Sequence, residues 1–145
     1  MAVNKKALIP TVILGLFLLG AIVKLNTIEP VDFTLEASPV YQTLQQAQAE
    51  GKPVWLLFHS NTCQSCVEMM EIYNQLKPQY EGKVVFVDAL VSDARNNELN
   101  KTYGIQYIPT TVLIDGGGKE VTKEVGVITP EKMARFLIDI YEGDM

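Results

Sequence analysis

At 145 residues, with 48% hydrophobic composition and a formal net charge of −5, the chain is long enough for one domain and too short for two ordinary ones once a targeting segment is set aside. Three of its twelve basic residues lie at or before Lys24 and all seventeen acidic ones lie beyond it, leaving nine cations against seventeen anions there, a net −8 with His59 neutral. Such a surface disfavours nucleic acid and anionic lipid headgroups, and no basic patch with interleaved aromatics appears.

Residues 7–23 (ALIPTVILGLFLLGAIV) are 17 consecutive uncharged positions. As a helix they would span roughly 26 Å, enough to cross a bilayer if Lys24 snorkels to the interface. A cleaved signal peptide and a buried core helix are the alternatives. No A-x-A-like site follows the run and no cysteine there could take a lipid, so residues 1–25 are expected to be an uncleaved anchor. Asn4-Lys5-Lys6 precede the span and Glu29, Asp32 and Glu36 follow it, which keeps the amino terminus cytoplasmic and puts the rest outside the cell membrane. Residues 26–37 lack clear periodicity, contain Pro30, and read as a tether. Residues 38–145 are then the folded domain.

Ser38 before Pro39 is an N-cap followed by proline at the first helical position, and Tyr41, Leu44, Ala47 and Gln48 recur on one face until Gly51. The run PVWLLF, residues 53–58, is almost wholly apolar, as expected of a central strand covered on both faces. From Gln64 to Leu76 the period becomes helical, with Val67, Met70, Tyr73 or Asn74, and Leu76 or Lys77 on one stripe before Pro78 and Gly82. A β-branched strand over 83–89, a polar helix over 93–103 stopped by Gly104, and strands over 110–114 and 120–127 joined by an Asp115-Gly116-Gly117-Gly118 turn follow. A phosphate-cradling role for these glycines is weak, because a strand and not a helix comes next. Thr129-Pro130-Glu131 repeats the cap-plus-proline signal, and Met133, Phe136, Leu137, Ile140 and Tyr141 stripe a last helix. The order predicts an α/β domain whose first strands are parallel and whose terminal hairpin adds an antiparallel edge.

Both cysteines, Cys63 and Cys66, lie in TCQSC between a buried strand and a helix. A bridge between them would close almost no loop and so is poorly explained as a staple. Placed in the turn, Cys63 meets the unpaired N–H groups and partial positive charge of the helix N-terminus, which stabilise a thiolate. Cys66, three residues on, shares its helical face and can attack a mixed disulfide formed by Cys63 and expel the substrate thiol.

Together with the later YGIQYIPTTVLI, the Gly-rich turn, VGVIT and the final amphipathic helix, this motif makes residues 38–145 resemble the thioredoxin family. The resemblance implies a central mixed sheet of about four strands flanked by helices, here preceded by one transmembrane helix. It implies a cis bond before Pro109, with the Ile108 backbone pairing with an extended substrate segment near the cysteines, and Gly126 allowing substrate to approach closely. An ordinary strand-entry proline and a simple bulge are the plain readings of Pro109 and Gly126.

The chain also departs from the family. Where the family commonly has Trp before the first cysteine and Gly-Pro between the two, this chain has Thr62, Gln64 and Ser65, so these line the substrate side with different chemistry and a different potential. The family's buried acid, which takes a proton from the second cysteine, falls at Leu57. His59 has the same strand parity as Leu57 and is a candidate for proton transfer or thiolate tuning, imidazole being suited to both. Its alternative is a partly buried histidine filling the space of a family aromatic. Glu68 and Glu71 are further candidates, more readily read as solvated surface.

The expected function is a membrane-anchored, extracytoplasmic thiol–disulfide oxidoreductase that reduces protein disulfides through a redox-active Cys63–Cys66 disulfide, with cytochrome c maturation as a narrower reading. The family implies electrons from a transmembrane thiol carrier; no other cofactor, no metal and no nucleic acid is expected. A disulfide-introducing oxidase is the rival within enzymes. A copper or zinc module using Cys63, Cys66, His59 and Met69 or Met70, and a redox-inert adaptor, are the alternatives outside them; zinc would want a fourth ligand that no second C-x-x-C or H-x-x-H supplies.

Overall fold

The computed structural model describes residues 38–143; the expected transmembrane helix and tether lie outside the described residues. Among the described residues, no helix is long and apolar enough to cross a membrane. The elements are α1 (Pro39–Ala49), β1 (Val54–His59), α2 (Gln64–Leu76), a 3-10 turn (Lys77–Tyr80), β2 (Val85–Leu90), a second 3-10 turn (Ala94–Asn96), α3 (Asn97–Thr102), β3 (Thr110–Ile114), β4 (Glu120–Val125) and α4 (Pro130–Glu142).

The cap signals act as read. The Ser38 hydroxyl accepts from Tyr41 N and the Thr129 hydroxyl from Lys132 N, each with proline opening the helix behind it. The sheet order is β2-β1-β3-β4, with β1 parallel to β2 and antiparallel to β3, and β3 antiparallel to β4. All six residues of β1 are buried, which explains why this strand shows no polar alternation.

Strand parity divides the core. Trp55 and Leu57 face the layer of α2 and α4, joining Met69, Ile72, Tyr73, Leu76, Met133, Leu137 and Ile140. Leu56 and Phe58 face the opposite side with Leu44, Ala47, Val112 and Leu99. Each of the larger side chains among them contributes about 1.5–3 kcal/mol when buried. Trp55, Tyr73 and Phe86 pack ring on ring at 5.0–5.1 Å between centroids, and the buried Trp55 indole N–H donates to Thr111 Oγ1 at 3.3 Å.

Two local readings are corrected. In α2 the buried stripe is Cys66, Met69, Ile72, Tyr73 and Leu76, which keeps the expected Tyr73 and Leu76; Val67 is 43% exposed and Met70 is half-buried at the edge of the core. The predicted helix over 93–103 is broken into the second 3-10 turn and six-residue α3. The break falls at buried Asn96, whose amide donates to Leu90 O at 3.1 Å and whose Oδ1 accepts from Ser38 Oγ at 2.7 Å. Satisfying that buried amide outweighs one more turn of regular helix.

Candidate active site

The route from β1 to α2 is short. Ser60, Asn61 and Thr62 make the turn, with Thr62 N donating to Ser60 Oγ at 3.3 Å. Cys63 is itself the N-cap of α2: its backbone is extended (φ −102°, ψ 118°) and its sulfur accepts from Cys66 N at 3.3 Å.

 Ser38, the cap of α1, is likewise extended (φ −77°, ψ 122°). Ser65 Oγ lies 3.2 Å from the Cys63 sulfur. A sulfur in the N-cap position points at the unpaired N–H groups of the first turn, which favours its anionic form.

The two thiols are unbridged and unlike in setting: Cys63 is partly exposed and Cys66 is buried, 1% exposed. The Cys63 thiol is held below the ordinary thiol range first by the Cys66 S–H donating to it, then by the Ser65 hydroxyl, with the backbone N–H groups of Cys66 and Ser65 adding to both. Side-chain donors thus come ahead of the helix-end groups on which the sequence argument rested. Burial pushes the Cys66 thiol up to about 11, and its bond to Cys63 reinforces the shift. One sulfur is prepared to be a thiolate and the other to keep its proton.

Opposite the cysteines, the Ile108–Pro109 bond is cis, and Cys63 Sγ lies 4.0 Å from the Ile108 carbonyl oxygen. The Thr110 hydroxyl donates to Tyr107 O at 2.6 Å and pins the turn. Gly126 N donates to Pro109 O at 2.8 Å, with φ +96° and open space where a Cβ would be. The structure therefore brings Cys63, Ser65, Ile108, Pro109 and Gly126 to one end of the sheet. Thr62 and Gln64 are exposed on either side of Cys63. Tyr107, Val125 and Val127, which adjoin these segments in the chain, are exposed apolar residues that sequence reasoning did not single out, and Val67, read there as part of the apolar stripe of α2, is exposed beside Cys66 in the chain.

His59 ends β1 on the face that parity assigns, 8% exposed, and lines one cleft with Cys66, Met70 and Glu71. Its Nε2 lies 3.3 Å from Asp88 Oδ2. Asp88 was missed in the sequence, although a lone carboxylate within the apolar run VVFVDALV is a legible signal. Glu68 and Glu71 are both exposed on α2. Met69 is core: fully buried, its sulfur accepts from Ile128 N at 3.4 Å. Among the described residues, no three His, Cys, Asp or Glu side chains come together as a metal-holding group.

The thioredoxin-like domain family matches residues 40–140. A thiol-disulfide oxidoreductase ResA from Bacillus thuringiensis subsp. konkukian is 30% identical over 109 residues, covering 61% of this chain and 63% of its own. A thioredoxin from Chlorobaculum thiosulfatiphilum is 34% identical over 92 residues, covering 63% and 82%. The chain thus spans less than two thirds of the length of the ResA relatives it matches. Among solved structures, the pneumococcal exposed lipoprotein thioredoxin Etrx1 from Streptococcus pneumoniae aligns with a TM-score of 0.57 at 20% identity over 66% of this chain and 89% of its own, a likeness of fold. With a strand, a capping cysteine, a second cysteine one turn on and a cis-proline loop in the family's order, this chain belongs to the thioredoxin-like domain family.

Proposed function

We propose that the protein is a thiol–disulfide oxidoreductase that reduces disulfides of other proteins. The observation that carries this reading is the pairing of a partly exposed, thiolate-favouring Cys63 with a buried, proton-retaining Cys66 beside the Ile108–Pro109 turn. The Cys63 thiolate attacks one sulfur of a substrate disulfide, and the other substrate sulfur leaves as a thiolate. Cys66 then attacks Cys63 Sγ, the mixed disulfide breaks, and the second substrate thiolate departs. Two electrons pass to the substrate and a Cys63–Cys66 disulfide remains.

The Ile108 backbone beside the sulfur offers a polar edge to an extended substrate segment, and Gly126 leaves room for it. Thr62, Gln64 and Ser65 contribute the polar groups nearest the scissile bond. The exposed Val67, Tyr107, Val125 and Val127 flank these segments in the chain and offer apolar surface to a protein partner. Residues 7–23 anchor this domain outside the cell membrane, and a transmembrane thiol carrier returns it to the dithiol. Reduction of apocytochrome cysteines is the narrower assignment we attach to it, supported by the anchor pattern of the sequence.

Redox titration of the protein against dithiol buffers, with thiols counted, tests the reading. A reversible two-electron couple well below the glutathione pool supports a reductant; a midpoint near about −120 mV identifies an oxidant. Absence of any such couple removes the proposal. In parallel, Cys63→Ser should abolish reduction of insulin disulfides, and Cys66→Ser should trap a covalent mixed disulfide.

A further inference from the structure

Resolution of the mixed disulfide requires Cys66 as a thiolate, yet Cys66 is the more buried sulfur. In the dithiol its proton is shared with Cys63 Sγ, the group to which the Cys66 S–H donates. Once Cys63 is bonded to a substrate sulfur, it is no longer an anion, and that destination for the proton is gone. Leu57, on the same face of the sheet, is fully buried and apolar and offers none.

Two other groups stand there. His59 lines the cleft that contains Cys66, a space of about 240 Å³, roomy enough for several waters. Asp88 is set beside it by strand register: in the parallel β1–β2 pair, Leu57 is opposite Asp88 and His59 is opposite Leu90. Paired residues in a sheet project to the same face, so the Asp88 carboxylate emerges on the Leu57 face and reaches His59 Nε2 at 3.3 Å. With Asp88 as a carboxylate, a neutral His59 satisfies this contact as its Nε2–H tautomer, and that tautomer leaves the Nδ1 lone pair free.

Resting on the dithiol-exchange reading above, we propose that His59 is the proton acceptor for Cys66 in the resolving step and that Asp88 is its positioning residue. The Cys66 S–H bond breaks, its proton passes through the solvent of the cleft to His59 Nδ1, and the imidazolium formed is stabilised by Asp88. The Cys66 electron pair forms the Sγ–Sγ bond with Cys63, the Cys63–substrate bond breaks, and the departing substrate thiolate can take the proton back. The other titratable or charged groups are Glu71 in the same cleft, Cys63 beside Cys66, and Tyr73 and Lys77 near Asp88. Lys77 and His59 both hold the Asp88 carboxyl below its ordinary range, His59 foremost, so Asp88 is an anion whenever the relay operates.

Reaction of the reduced protein with the aromatic disulfide of Ellman's reagent separates the two steps. The first thionitrobenzoate released reports attack by Cys63, and the second reports attack by Cys66. In His59→Gln the first release should keep its wild-type rate and the second should slow by about 100-fold at pH 7. The gap should narrow as pH rises and Cys66 ionises unaided, and added imidazole should restore the second release in His59→Ala. Asp88→Asn should slow the same step, and Asp88→Glu should recover it in part. An unchanged second release in His59→Gln, a gap constant with pH, or a loss confined to Glu71→Gln would overturn the assignment. If instead the wild type gave no Cys66-dependent second release, the dithiol-exchange reading itself would fall.

Discussion

The unequal settings of the two sulfurs predict how reduced protein divides an alkylating reagent. An ordinary thiol ionises near pH 8.5, and Cys66 is pushed up to about 11. A thiol at about 8.5 has about 300 times the thiolate fraction of one at about 11 when both are measured at pH 7. Intrinsic nucleophilicity runs the other way, and with a Brønsted slope near 0.45 the more basic Cys66 thiolate is about 13 times more reactive. Ionisation wins, leaving Cys63 ahead by about 25-fold on these principles. That figure is a floor, because Cys63 is held below the ordinary range and Cys66 is only 1% exposed. Reduced protein treated briefly with iodoacetamide at pH 7, then digested and weighed, should carry its label on Cys63. Raising the pH toward 11 should bring Cys66 into reaction. Equal labelling at pH 7, or Cys66 labelled first, would refute the assignment of attacking and resolving roles.

Two further outcomes follow from the same packing. Reduced protein should lose stability as pH rises from about 9 to about 11, since an unfolded Cys66 gives up its proton first while the folded one, raised from 9.0 to about 11, retains it. At about 1.4 kcal/mol per pH unit the loss is about 2–3 kcal/mol; buried Tyr73, whose hydroxyl is also raised, adds a loss common to both proteins above about pH 10, so urea unfolding should find the wild type losing about 2–3 kcal/mol more than Cys66→Ala, and a parallel pH dependence in the two would contradict the burial argument. Thr111→Val removes the acceptor of the Trp55 indole N–H at a site where both residues are fully buried, so it should cost about 1–3 kcal/mol. Trp55 is the single tryptophan, and its fluorescence provides the unfolding signal; a change within about 0.3 kcal/mol would show that the pair is not stabilising, given the usual cost of an orphaned donor.

Much of this domain could be read without coordinates because its signals are local. Ser38 with Pro39, and Thr129 with Pro130, cap their helices through hydrogen bonds spanning three residues, and the buried run Val54–His59 marks the central strand by composition alone. The spacing of Cys63 and Cys66 likewise places one sulfur at the cap and the other one turn inside α2, since helix geometry fixes where a residue three positions on must lie. The cis bond at Pro109 was legible only through family likeness, because local chemistry favours trans.

What no single segment could determine is what depends on how segments meet. The stripe of α2 that turns inward is Cys66, Met69 and Ile72, with Met70 half-buried at its edge and Val67 exposed, because an apolar face wide enough for both rows is oriented only by the sheet beneath it. The helix after β2 breaks because Asn96 bonds to Ser38, 58 residues away. His59 and Asp88, 29 residues apart, become partners only through the register of β1 on β2. Strand pairing sets distances that chain spacing leaves open, and so the sequence by itself determined the sulfur chemistry while the tertiary structure decided which groups surround it.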